Sequence, residues 1–171
     1  MPEQSVLSGK LPQELTPELI RLGENLLDES RDALGWLTSK TRNVVSYSDP
    51  NVRKRVQGEL DHAVGLLSVA HLMSPFEAAL PSEYWSKILD SSEVERLLAY
   101  RHIRRCISNG IQHSRPVEDA DAFNAVMASE KPIRGITEYN ESSISLEPEI
   151  AHDLGAFLRE IIDKALVAAN S

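Results

Sequence analysis

The sequence predicts an all-α protein, a bundle of four to five helices with a small β-hairpin near residues 136–146. Apolar residues recur every three or four positions over four long stretches, which is the spacing of an amphipathic helix. Proline-containing breaks separate these stretches, and one short segment alternates with a period of two residues. Because each amphipathic helix has one apolar face to bury, four of them with short connections are expected to pack as a bundle.

Composition favours one folded domain in residues 16–171, preceded by a flexible N-terminal arm in residues 1–15. The chain has 171 residues, of which 42% are hydrophobic and 26% are charged, enough to bury one core without disulfides. Its single cysteine, Cys106, lies in a helical stretch and is expected to be a small buried side chain. The formal net charge of −8 disfavours extended binding to nucleic acid. We expect a cytoplasmic protein without a membrane anchor, since no signal peptide or long apolar run is present.

Capping residues followed by proline predict where the first two helices begin. Thr16-Pro17-Glu18 supplies a capping hydroxyl, a proline for the first turn and an acid, so a helix is expected from Thr16 to about residue 45. Ser48-Asp49-Pro50 repeats this chemistry and begins a second helix. We expect that helix to end at Ser74-Pro75, because proline disrupts a helix interior.

The next region is expected to contain short helical pieces, with Tyr84 and Trp85 turned inward. Ser92-x-x-Glu95 has the pattern of a capping box and predicts the start of a third long helix that reaches Pro116. A short helix is expected near residues 119–128.

The hairpin and the last helix complete the predicted fold. The segments 136–139 and 144–146 alternate around a polar centre, as two strands joined by a turn do. Glu147-Pro148 then starts the closing helix, which has the most regular apolar stripe in the chain. That stripe consists of Ile150, Leu154, Phe157, Ile161, Ala165 and Leu166.

The polar face of the third helix is the strongest candidate for chemistry. Guanidinium, amide and imidazole groups occur between Arg101 and Arg115 without a carboxylate. Arginines bind phosphate oxygens, and a neutral histidine can accept a proton, so the face suits an anionic ligand. At about 100° per residue, one side of the helix holds Arg101, Arg105, Ser108, Asn109 and Gln112, with His102 and His113 at its edge.

The Asn109-x-x-x-His113 element at the end of this helix, followed by a short helix, a hairpin and a closing helix, resembles the HEPN superfamily. HEPN proteins are helical bundles found among prokaryotic toxins and defence systems. In their active members an arginine precedes the polar residue of the motif. This chain has Ser108 there, and its nearest arginine is Arg105, one turn earlier.

The resemblance implies a homodimer of a defence or toxin–antitoxin system that binds RNA or a protein partner, with weak or lost RNase activity. Cleavage would be metal-independent, by internal attack of the 2′-hydroxyl. Catalytic and substrate-binding roles are then expected for two sets of residues. The catalytic residues would be Arg105, Asn109 and His113, and the substrate-binding residues would be Arg101, Arg104 and Gln112.

The sequence leaves a second interpretation open, an interaction module, and disfavours a third, a metal site. The chain could be a non-enzymatic helical protein-interaction module, in which the polar face is ordinary surface and His113 stabilises a helix end. Glu59-x-x-His62 and Glu149-x-x-His152 have the spacing of di-iron bundles. The second pair projects away from the apolar stripe of its helix, so neither a metal nor another cofactor is predicted.

Overall fold

A computed structural model describes residues 11–24, 49–109, 117–139 and 144–171, without the side chains of residues 107–109. Helices dominate these ranges, and the prediction of an all-α bundle with one small hairpin is confirmed. The helices are α1 (residues 16–24 of the described chain), α2 (Pro50–Ala79), α3 (Trp85–Ile88), α4 (Ser91–Asn109), α5 (Val117–Ala128) and α6 (Glu149–Asn170). Single 3₁₀ turns span Gln13–Leu15 and Ser82–Tyr84, and the strands are β1 (Ile136–Tyr139) and β2 (Ile144–Leu146).

The core lies between α2, α4 and α6, with α1 contributing Leu19. Helix α6 buries residues at spacings of three and four along one face, as its stripe predicts. Trp85 is 1% exposed, and its ring lies 6.3 Å from that of Phe76 between centroids. Its Nε1 donates a hydrogen bond to the carbonyl of Leu80 at 2.9 Å. Trp85 therefore points inward as expected, whereas Tyr84 is half-buried.

Helix α2 does not end at Ser74-Pro75, so that predicted boundary is wrong. The helix continues through Pro75 to Ala79. Proline removes one backbone donor, but Phe76 and Ala79 lie in the next turn and are both buried in the core. Their burial explains why the helix persists past the proline.

The capping box of α4 lies two residues before the predicted one. Asp90 Oδ1 accepts from the backbone N–H of Glu93 at 2.9 Å, and Glu93 Oε2 accepts from the N–H of Asp90 at 3.1 Å. This reciprocal pair satisfies two donors at the helix start. The Ser92-x-x-Glu95 pattern fits equally well by sequence, but Ser91 already begins the helix.

The predicted hairpin is confirmed, with antiparallel pairing of Ile136 to Leu146 and of Tyr139 to Ile144. It packs on α2, where His62 Nδ1 accepts from the backbone N–H of Leu146 at 3.1 Å. Gly65 permits this approach, since a Cβ there would lie 2.7 Å from the Leu146 Cβ. The hairpin is thus a tethered part of the domain.

Residues 11–15 differ from the prediction of a flexible arm. Leu11 is 4% exposed and belongs to the core, and the N–H of Leu15 donates to the carbonyl of Pro12 at 3.1 Å. These residues therefore pack with the domain. The rest of the predicted arm, the first helix beyond residue 24 and the third beyond residue 109 lie outside the described residues, as does the hairpin turn.

Within the described ranges, no single helix has both the length and the apolar composition to cross a membrane. Pro50–Ala79 together with Ser82–Ile88 meets that test only as a pair bent by 66°.

Candidate functional site

Helix α4 carries the arginines of the predicted site, and two of them bind one buried carboxylate on α5. Arg101 donates from Nε to Asp119 Oδ2 at 3.0 Å and from Nη2 to Asp119 Oδ1 at 2.7 Å. Arg105 Nη1 donates to Asp119 Oδ2 at 2.7 Å. Asp119 has 0% exposure. A carboxylate this buried requires charged and hydrogen-bonded partners, and three hydrogen bonds from two guanidinium groups supply them.

Arg101 is held in its charged form by this arrangement. Burial alone would lower its pKa, but the hydrogen bonds and the negative charge of Asp119 outweigh that effect, and the pKa of Arg101 is raised. Its guanidinium carbon also lies 5.3 Å from the centroid of the Trp85 ring, which is within the range of a cation–π contact. Arg101 thus joins α4 to both α5 and the core.

Arg104 points to a different helix and pairs with Glu77 of α2 at 2.6 Å. Burial raises the pKa of Glu77, against the lowering effect of the positive charges of Arg104, Arg101 and Arg105. Burial therefore affects the pKa of Glu77 more than the positive charges of these arginines do.

The positive charge expected on this face is largely compensated from other helices. The stretch from Arg101 to Arg115 has no acid of its own, but α5 supplies Asp119 and α2 supplies Glu77. The charge of Glu118 on α5 also acts on Arg101. Asp119 thus pairs with Arg101 and Arg105, and Glu77 pairs with Arg104. In the described residues this face is a set of interhelical ion pairs.

The structure describes only some of the remaining predicted site residues. Asn109 is the last residue of α4, and its side chain lies outside the described residues. Gln112 and His113 lie outside them entirely. His102 is buried at 7% exposure, with its ring 5.1 Å from the Phe123 ring between centroids, so it does not lie at the edge of a polar face. Cys106 is half-buried, where a buried side chain was expected.

Asp119 is the residue that sequence reasoning missed. A signal for it exists, because Asp119 shares one helical face with Ala122, Phe123 and Val126, all buried. An acid among apolar residues at spacings of three, four and seven is expected to be buried and paired. The carboxylate that pairs with Arg101 and Arg105 lies four residues after Arg115, just beyond the arginine-rich stretch.

The described part of the chain contains no group of three His, Cys, Asp or Glu residues that could bind a metal ion. His62 of the Glu59-x-x-His62 pattern accepts a hydrogen bond from the hairpin. His152 of the Glu149-x-x-His152 pattern is exposed on α6.

A groove of about 850 Å³ lies between α3, α4 and α5. Its apolar side chains form the floor and, except for the exposed Ala125, are buried or half-buried, whereas its acidic side chains are exposed and form the rim. None of its described lining residues is a lysine or arginine. The floor consists of Leu89, Val94, Leu98, Ala122 and Ala125, and the rim carboxylates are Glu95, Glu118 and Asp121.

Comparison with family models, with curated proteins and with solved structures finds no match to this chain. The relationship to HEPN proteins therefore stays a prediction that depends on the residues quoted for it.

Proposed function

We propose that this protein is a non-enzymatic helical interaction module, in which the arginines of α4 hold the bundle together. One observation supports this most: the fully buried Asp119 accepts three hydrogen bonds from Arg101 and Arg105. An anionic ligand that took over these guanidinium groups would leave a buried carboxylate unpaired. Such an exchange costs about 3 kcal/mol or more, so a phosphate binds poorly at these atoms.

The partner is a protein segment of positive charge. The chain carries a formal net charge of −8, and the groove between α3, α4 and α5 has an apolar floor and an acidic rim. Opposite charge speeds the encounter of two proteins and orients them, while the apolar floor provides surface that a partner can bury.

Substitution of Arg105 tests the proposed role of the arginines. Arg105→Gln is expected to lower the free energy of unfolding by about 1 kcal/mol, because Asp119 loses one charged hydrogen bond. Urea denaturation measures that loss, and a labelled RNA oligonucleotide incubated with the unsubstituted protein is expected to stay intact. RNA cleavage that Arg105→Gln abolishes without lowering stability would contradict the proposal.

A second candidate function is the HEPN-like one, a homodimer that binds RNA with weak or lost metal-independent RNase activity. Helix α4 runs without a break to Asn109, which keeps Arg105 and Asn109 one turn apart. The Arg105 side chain also retains 28% exposure. These two facts favour retention of part of the motif.

Ser108→Arg tests this second function, because it restores the arginine that active HEPN proteins carry before Asn109. New RNase activity that His113→Ala removes again would support it. Light scattering at about 30 µM, a concentration that detects weak association, would have to show a dimer. A folded, monomeric and inactive Ser108→Arg variant would contradict it.

A further inference from the structure

The groove between α3, α4 and α5 has the length of two helical turns. Along α4 its lining runs from Ser91 to Leu98, and along α5 from Glu118 to Ala125. Seven residues of a helix rise about 10 Å. A helix laid in the groove would therefore place about three side chains on the floor, at positions i, i+3 or i+4, and i+7.

Both long walls of the groove are helices, α4 and α5, whose backbone groups are used within each helix. Among the described lining residues there is no strand edge to pair with an extended peptide, because neither hairpin strand contributes to them. Of the recurrent modes of peptide recognition, the apolar face of a helix in a groove fits these walls best.

The rim carboxylates are open to a partner. Glu95 lies on the α4 side, and Glu118 and Asp121 lie on the α5 side, all three exposed. No ion pair joins any of them to another described residue. Glu118 lies in the first turn of α5 and stabilises the helix start, but Glu95 and Asp121 lie beyond the first turns of their helices.

We propose that this groove binds an amphipathic α-helix of a partner protein, with an apolar stripe about two turns long and Lys or Arg residues on both flanks. The stripe contacts Val94, Leu98 and Ala125, and the flanking cations pair with the rim carboxylates. A second copy of this chain is disfavoured as the occupant, because two chains of net charge −8 repel each other. This inference rests on the proposed interaction function and names its partner class.

Fluorescence anisotropy with a labelled synthetic peptide of leucine and lysine tests it. A peptide of about 14 residues is long enough to form a helix on the protein, and the same peptide with glutamate in place of lysine is the control. The lysine peptide is expected to bind with a dissociation constant of about 10 µM, and the glutamate peptide is expected not to bind. Absence of binding by the lysine peptide, or equal binding by both, overturns the proposal.

Two neighbouring substitutions on α5 separate the groove from the rest of the surface. Ala125→Trp fills the groove from an exposed position and is expected to weaken peptide binding about tenfold or more, which corresponds to about 1.4 kcal/mol. Asn124→Trp adds the same side chain at an exposed position outside the lining and is expected to leave binding unchanged. Equal loss in both variants overturns the proposal.

A charge-matched pair of triple variants tests the rim, whether or not Ala125→Trp folds. Glu95→Gln, Glu118→Gln and Asp121→Asn together are expected to weaken binding about tenfold. The control removes three exposed acids outside the groove, Glu138→Gln, Glu149→Gln and Asp163→Asn, and is expected to change binding by no more than about twofold. Equal effects would indicate attraction to net charge alone and overturn the proposal.

Light scattering tests whether a second copy of this chain, rather than a partner helix, occupies the groove. A dimer of the unsubstituted protein that Ala125→Trp converts to monomer would show that a second copy fills the groove, and would overturn the proposal. Failure of the peptide test leaves the role of the arginines untouched, because that role is tested separately by Arg105→Gln and RNA cleavage.

Discussion

Asp119 and Asp121 lie two residues apart on α5 and have opposite surroundings. Asp119 is fully buried and bound by two arginines of α4, whereas Asp121 is exposed on the rim of the groove, without an ion pair to a described residue. A helix turns by about 200° over two residues, so the two side chains point to nearly opposite sides of α5.

The difference separates charges that are paired inside the fold from charges that face solvent. A buried carboxylate must be paired, because its desolvation costs several kcal/mol. Exposed carboxylates carry no such requirement and contribute little to stability. Arg101 and Arg105 of α4 are therefore paired within the fold, and we propose that the exposed acids of the groove bind a partner.

Alanine substitution of each aspartate gives the largest expected contrast. Asp119→Ala leaves Arg101 and Arg105 without their buried partner and is expected to lower the free energy of unfolding by about 3 kcal/mol. Asp121→Ala is expected to change it by no more than about 0.5 kcal/mol, as exposed substitutions do. Urea denaturation measures both, and equal effects would remove the basis of the comparison.

The two arginines are expected to differ in their contribution to stability. Arg101 donates two hydrogen bonds to Asp119 and its side chain is 14% exposed, whereas Arg105 donates one and is 28% exposed. Arg101→Met should therefore lower the free energy of unfolding by about 2 kcal/mol, and Arg105→Met by about 1 kcal/mol. The reverse order, measured by urea denaturation, would contradict the observed hydrogen bonding.

Salt is expected to affect the two regions differently. Raising sodium chloride from about 0.05 M to about 0.5 M screens exposed charges, so lysine-peptide binding at the groove should weaken about tenfold. The destabilisation caused by Asp119→Ala should change by less than about 0.5 kcal/mol, since buried pairs are screened much less. Anisotropy and urea titrations at both salt concentrations check this contrast. A strong salt dependence of the Asp119→Ala effect would indicate that Asp119 is accessible to water.

The smallest expected effect concerns Glu77, whose pKa burial raises above its usual value of 4.5. A carboxyl with a raised pKa in the folded state holds its proton more tightly there than in the unfolded state. Its contribution is therefore fully present below pH 4.5 and is lost as pH rises through the raised pKa. Compared with Glu77→Gln, the unsubstituted protein should lose relative stability over that range in urea denaturation. A relative gain as pH rises would contradict the assigned direction.

Local patterns were sufficient to predict most of the fold. The α6 stripe and the alternation of the hairpin depend on neighbours within a few residues, and both are confirmed. The predictions were wrong at positions whose structure depends on contacts with residues far away in the sequence. Pro75 is tolerated because Phe76 and Ala79 are buried in the core, and Leu11 is buried in a core whose other residues all follow it in the chain. No local signal reports such burial.

The candidate site was predictable only as a set of residues on one helix. The pattern of α4 identifies Arg101 and Arg105 as neighbours one turn apart, but Asp119 comes from another helix. The ion pairs that decide the role of these arginines span 18 and 14 residues. The groove was not predicted, because the apolar side chains of its floor come from α4, α5 and Leu89 just after α3, and show no shared pattern in sequence.

A double-mutant cycle between Arg105 and Asp119 tests most directly whether the fold uses this arginine. Urea denaturation of Arg105→Met, Asp119→Asn and the double variant gives the coupling free energy of the pair. We expect a coupling of about 1 to 2 kcal/mol, because Arg105 Nη1 donates a charged hydrogen bond to a buried carboxylate at 2.7 Å. A coupling below about 0.3 kcal/mol, within the usual error of additivity, would contradict the account and leave Arg105 available for a ligand.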